Sequence, residues 1–189
     1  EQAYSRALGE EFDKIVNSIP AEKLSIQWEA VSEFSLLEGL SENHIGETLL
    51  DEITSRLAGL VDLVPPGVEA GIHLCYGDSG HKHFCEPEDA AHLVDVANGV
   101  ARKVARPISW IHLPVPKERD DEAYYAPLKN LNLGDDTELY LGLLHQTGGQ
   151  GGTERRIAAA SSAIERFGIA TECGLGRRDQ ATIPDLMGR

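Results

Sequence analysis

Cysteine is scarce, with three in 189 residues. So small and odd a number does not build a disulfide framework. Free thiols fit a reducing cytosol, where they stay available to metals, so a cytoplasmic location is expected. Basic residues are in deficit too, with 17 Lys and Arg against 31 Asp and Glu and a formal net charge of -14. That charge repels a phosphate backbone, so nucleic acid is not an expected partner. No apolar run approaches the roughly 20 residues that a membrane span needs. No secretory leader is visible, although the first residue is Glu1, which leaves a removed N-terminal segment open. Low-complexity linkers and strict repeats are missing. So is a G-x-G-x-x-G after a first strand, which removes the dinucleotide fingerprint.

What remains is enough chain for one ordinary domain with a sizeable core. Short apolar runs recur at "LSIQWE" (24–29), "AGIHLCYGD" (70–78), "RPISWIHLPVP" (106–116), "ELYLGLLH" (138–145) and "FGIATECGLG" (167–176). Each is bounded by Pro, Gly or charge, as buried parallel strands are. Between them lie helical patterns at 8–19, 44–64, 86–104 and 152–167, the third opened by the acids and proline of "EPED". Segment 120–133 is too irregular to assign. Strands alternating with helices predict βαβ units and a parallel sheet, either doubly wound or a (β/α)8 TIM barrel. Chemistry in a barrel collects at the C-terminal strand ends. There the chain keeps Glu29, His73, Cys75, Asp78, His112, His145, Glu172 and Cys173. The expected fold is therefore α/β, a TIM barrel of which residues 1–189 supply the C-terminal five or so β/α units, the N-terminal ones being absent.

The densest window is "GIHLCYGDSGHKHFC", residues 71–85. Alternate residues of a strand share a face, so His73 and Cys75 point the same way and form a natural start for a zinc site. Cys173 and His112, at other strand ends, extend it to a metal set of His73, Cys75, His112 and Cys173. Small buried core cysteines are the plain alternative. His81, His83 and Cys85 lie beyond the strand, where alternation no longer directs them, and are expected in a solvated loop. His145 is a candidate acid or base near neutral pH, with Asp78 beside it as a second catalytic candidate. Glu29 and Glu172 are candidate substrate-binding carboxylates. Buried carboxylates need partners, for which Arg177 or Arg119 is available. "HQTGGQGGTERRI" places a glycine-rich loop before a helix start, a weak phosphate-loop signal that a flexible closing loop also explains.

These motifs resemble the catalytic C-terminal barrel of the cobalamin-independent methionine synthase family, within the wider group that includes uroporphyrinogen decarboxylase. "IHLCYGD" is similar to that family's "THMCYSD", and "ATECGLGR" to its "NPDCGLKTR". "LGLLHQ" resembles the strand end bearing its catalytic histidine, and "IQWE" its "IQIDEP". The resemblance spans residues 24–178 and implies zinc held by His73, Cys75 and Cys173. It further implies His145 as the proton donor and Glu29 as the holder of a substrate ammonium. The implied reaction is methyl or alkyl transfer to a small thiol such as homocysteine from a methyl donor. His112 stands where the family has a zinc-binding glutamate, and the family's "DEP" becomes "WEAV". A metal-free decarboxylase- or lyase-like barrel and a non-catalytic metal- or ligand-binding barrel are the alternatives.

Overall fold

The structure is a computed structural model that describes residues 2–80 and 82–188. His81 lies outside the described residues. Five strands, β1 (Ser25–Ala30), β2 (Glu69–Leu74), β3 (Trp110–Pro114), β4 (Glu138–Leu144) and β5 (Gly168–Thr171), form one sheet in which every neighbouring pair is parallel. Its order is β1-β2-β3-β4-β5. A doubly wound sheet reverses direction at a switch point, and this one does not. Crossovers of a single hand along an unreversed sheet stack their helices on one side, which makes the architecture a five-strand arc of a β/α barrel.

The connecting helices are α1 (Gln2–Ser18), α2 (Ser32–Leu37), α3 (Leu49–Asp62), α4 (Ala91–Lys103), α5 (Glu122–Tyr125), α6 (Gly149–Ser161) and α7 (Ile183–Met187). Leu49, Ile53, Leu57 and Val61 of α3 recur every fourth residue and are buried, as are Leu93, Val96, Ala97 and Val100 of α4. These stripes pack on the helix-facing residues of the strands, Ile72, Leu74, Ile111, Leu113, Leu139 and Leu141. The opposite, concave face carries Gln27, Trp110, His112, Glu138 and Tyr140 around an open cavity of ≈ 620 Å³. There the Trp110 ring lies over Gly71 and its Nε1 donates to Gln27 Oε1 at 3.0 Å. Among the described residues no helix is long and apolar enough to cross a membrane.

All five apolar runs contain strands; β1 is shifted one residue along its pattern, and the other four strands are shorter than theirs. Two expectations need correction, and one unassigned segment is resolved. The helix expected from Glu86 begins at Ala91, whose N–H is accepted by Asp89 Oδ1 at 2.8 Å, so "EPED" is loop. Segment 120–133 holds one α-helical turn and the 3-10 turn Ala126–Asn130. The glycines of "TGGQGG" make the first turn of α6 instead of a loop before it. Neither arginine of that stretch is free for an anion. Arg155 pairs with Asp120 at 2.8 Å, and Arg156 is buried.

Arg156 Nε donates to Leu143 O and Nη1 to Lys117 O, each at 2.9 Å, tying α6 to the end of β4 and to the loop after β3. Removing it strands two carbonyls, at about 1–3 kcal/mol apiece. Arg156→Leu is expected to unfold at a lower denaturant concentration by about 2 kcal/mol or more. An unchanged midpoint in urea would show that water replaces the guanidinium.

Candidate metal centre

The site forms where β1, β2 and β5 end. In register, Glu29 pairs with His73 and His73 with His112, so one row crosses three strands on the concave face. Cys75 follows β2 directly, its N–H donating to Ala30 O at 2.8 Å. Cys173 comes two residues after β5, close to β4. This approach requires Gly142, because a Cβ there would lie 2.7 Å from Glu172 Cα and 3.1 Å from Thr171 O. The sheet therefore delivers a sulfur from its last strand to one from its second.

The two sulfurs lie 3.7 Å apart, and both cysteines are free. Two sulfurs on one tetrahedral zinc at about 2.3 Å each would be about 3.8 Å apart. One ring nitrogen of His73 and both sulfurs fall within 4.8 Å of one another. His73 is buried and neither of its nitrogens has a hydrogen-bond partner among the described residues. An imidazole orphaned beside two thiols is a donor set that fits a soft divalent cation. His112 is not in that convergent group. Its ring stacks on His73 at 4.3 Å, and it is held by the Thr171 backbone.

The thiols share one negative charge. Cys173 is held below the ordinary thiol range by the Cys75 thiol, then by the nearby His73 ring, and Cys75 is pushed up by its contact with Cys173 and by burial. The Gly77 N–H donates to Cys75 Sγ at 3.3 Å, adding a dipole that favours charge on sulfur.

His145 and Glu172 meet beside this centre. His145 Nε2 donates to Val115 O at 2.9 Å, which leaves Nδ1 facing Glu172 Oε2 at 3.4 Å. Arg178, not Arg177 or Arg119, pairs with Glu172 through the opposite oxygen; Arg119 pairs with Asp121 instead. Burial, then Arg156, pushes His145 down to about 3, and burial pushes Glu172 up. The pair can therefore hold a single proton between Nδ1 and Oε2.

Two cavities flank the centre. One, ≈ 650 Å³, is lined by Glu29, Cys75, Asp78, Lys82, His83 and Cys173 among others, and the other, ≈ 280 Å³, by Asp78, Lys82, His83, His145 and Glu172. Glu29 is exposed on the larger cavity's wall, and Asp78 is buried between the two. The loop holding His83 departs from expectation, because His83 is buried. Phe84 N–H donates to Tyr76 O at 2.8 Å, and the Phe84 ring packs 5.8 Å from the Tyr76 ring, drawing Phe84 and its neighbour His83 back to the end of β2. Gly77 permits the turn with φ 80, a region most side chains avoid. The aromatic at each end of the loop is the one sequence signal for this inward turn.

The buried histidines set an acid limit. Burial lowers His112 and His145 to about 3 each, from an unfolded value of 6.5. Below pH 6.5 the unfolded chain takes up protons that the native chain refuses, so stability falls as pH falls toward 3. At pH 5 each histidine costs about 2 kcal/mol. The metal-free chain is expected to melt lower at pH 5 than at pH 7, with a shallower slope in His112→Gln. Equal slopes in the two proteins would contradict the burial of a neutral His112.

No protein-family model matches the sequence, and no curated protein does. Among solved structures, the chain is similar to a Listeria monocytogenes protein named as a candidate vitamin B12-independent methionine synthase. The TM-score is 0.52 at 19% identity, covering 85% of this chain and 45% of that one. The chain thus spans about half the length of the protein it resembles. At that identity the likeness establishes the fold.

Proposed function

We propose that the chain carries the metal centre of an enzyme that transfers a methyl or alkyl group to a small thiol, as in the cobalamin-independent methionine synthases. One observation carries this: His73, Cys75 and Cys173, 98 residues apart between the two cysteines, converge within 4.8 Å at the C-terminal strand ends. The fold likeness to the Listeria protein supports the same family. On this reading the arc belongs to a longer cytoplasmic barrel whose other strands pair with β1 and β5.

His73, Cys75 and Cys173 would hold zinc, which supplies the Lewis acidity that makes a bound thiol nucleophilic near neutral pH. The chain's own residues do the rest. Glu29, exposed on the cavity wall, is placed to bind a substrate ammonium. Asp78 faces both cavities and orders polar groups between them. His145 moves a proton at Nδ1, with Glu172 as its exchange partner and Arg178 holding Glu172 in place.

The test is methyl transfer from a methylated donor to homocysteine by the zinc-loaded chain, followed by the mass of the thioether. Transfer that falls about 100-fold in His145→Ala is expected, within the range for loss of a general acid. Turnover that survives complete removal of metal would favour the metal-free decarboxylase-like alternative instead.

A further inference from the structure

His83 has no role in the site described so far, yet among the described residues of its loop it is the one side chain that is both buried and unsatisfied. It is 8% exposed, and its Nε2 has no hydrogen-bond partner among the described residues. A buried polar atom without a partner carries a desolvation penalty that a native structure normally relieves, through water or a ligand. The location indicates which. His83 lines the cavity that contains Cys75 and Cys173, and also the cavity that contains His145 and Glu172. It therefore stands between the sulfurs and the proton-carrying pair, on the wall of both cavities.

The loop is built to hold the imidazole there. The Phe84 N–H to Tyr76 O bond closes the turn one residue after His83, and the Tyr76 ring lies 6.0 Å from the imidazole. Burial pushes His83 below the ordinary histidine range, so its ring is neutral near pH 7 and keeps a lone pair. The titratable groups that act on it are Glu86, Cys173, Asp78 and His73.

We propose that His83 is a substrate-binding residue whose Nε2 accepts the S–H hydrogen bond of a small thiol entering the larger cavity. It rests on the thiol-transfer reading above, but adds a contact from a loop beyond β2 that no metal ligand or strand end supplies. The bond fixes the sulfur's approach; when the sulfur then binds the metal as thiolate, its proton passes along this bond to Nε2, and the resulting N–H donates to the bound sulfur. His83 is not a metal ligand, since its nitrogens fall outside the convergent group of His73, Cys75 and Cys173.

The experiment uses the whole chain loaded with cobalt in place of zinc, with homocysteine as the probe. Cobalt's ligand-field bands report the protein ligands, and the rise in sulfur-to-cobalt charge transfer above that from Cys75 and Cys173 reports the thiol. His83→Ala is expected to weaken thiol binding about tenfold, with the thiol-free cobalt spectrum unchanged, and His83→Gln to recover part of the loss. Thiol affinity equal to wild type in His83→Ala overturns the proposal. A shifted thiol-free spectrum also overturns it, in favour of His83 as a ligand. If His83→Ala does not fold, the imidazole nitrogen resonance of His83 in the unmutated chain decides. It moves on thiol addition if the contact exists, and a stationary signal overturns the proposal. Failure of the unmutated chain to bind cobalt, or to bind thiol once loaded, sinks the function reading and this contact together; failure confined to the His83 variants sinks the contact alone.

Discussion

Cys173→Ser is expected to weaken zinc binding by more than about 100-fold, since disturbing even an outer-shell partner typically costs 10–100-fold in affinity. The serine oxygen is a poor zinc donor, and the remaining His73 and Cys75 give only two ligands of the convergent set. Purified without chelators, the unmutated chain should carry about one zinc, and the variant almost none. Competition with a chromophoric chelator gives the affinities. The pH dependence tests the electrostatics of the sulfur pair. With Cys173 held low and Cys75 pushed up, one thiol still holds a proton before metal arrives. Binding therefore releases one proton, and affinity should rise about tenfold per pH unit through neutrality. A rise of about a hundredfold per unit would mean that both thiols are protonated in the free chain. Retention of full zinc by Cys173→Ser would end the proposed centre.

Gly142→Ala is the second large effect, and it acts through the backbone. The added methyl would sit 2.7 Å from Glu172 Cα, so β4 and the end of β5 must separate. Neither partner is a flexible side-chain tip that can swing away. Overpacking of this kind costs about 1–3 kcal/mol. The strain falls on the segment that carries Glu172 and Cys173, so zinc affinity should drop along with stability. Gly59→Ala is the comparison: it lies in α3, exposed, with nothing within 4 Å of the new Cβ. There the substitution should stabilise by about 0.4–1 kcal/mol, by restricting the unfolded chain. Calorimetry on both variants, with metal content measured in parallel, checks the pair. A Gly142→Ala chain with native melting and full zinc would show that the strand ends yield without cost.

The strands were readable because a buried parallel strand leaves a local mark, an apolar run between breakers. Those marks overran the real elements: "RPISWIHLPVP" supplies only Trp110–Pro114. Helix starts were less readable. "EPED" has the composition of a first turn, but its residues lie in the loop before the helix, and Asp89 accepts the Ala91 N–H from outside it. His73 and Cys75 could be paired from alternation alone, because both belong to one strand and its immediate extension. His83 could not, since its direction depends on the closure between Phe84 and Tyr76. Arg178 was missed for a similar reason, because adjacent arginines in a loop leave the choice of partner to the turn between them.

By itself the sequence determined the alternation of strands and helices and the face shared by His73 and Cys75, both consequences of backbone periodicity over a few residues. Folding alone decided three things: the 3.7 Å meeting of Cys75 with Cys173, the stacking of His112 on His73, and the burial of His83. Each depends on how strand ends and loops are carried together across the sheet, and no local pattern encodes a distance between residues so far apart along the chain.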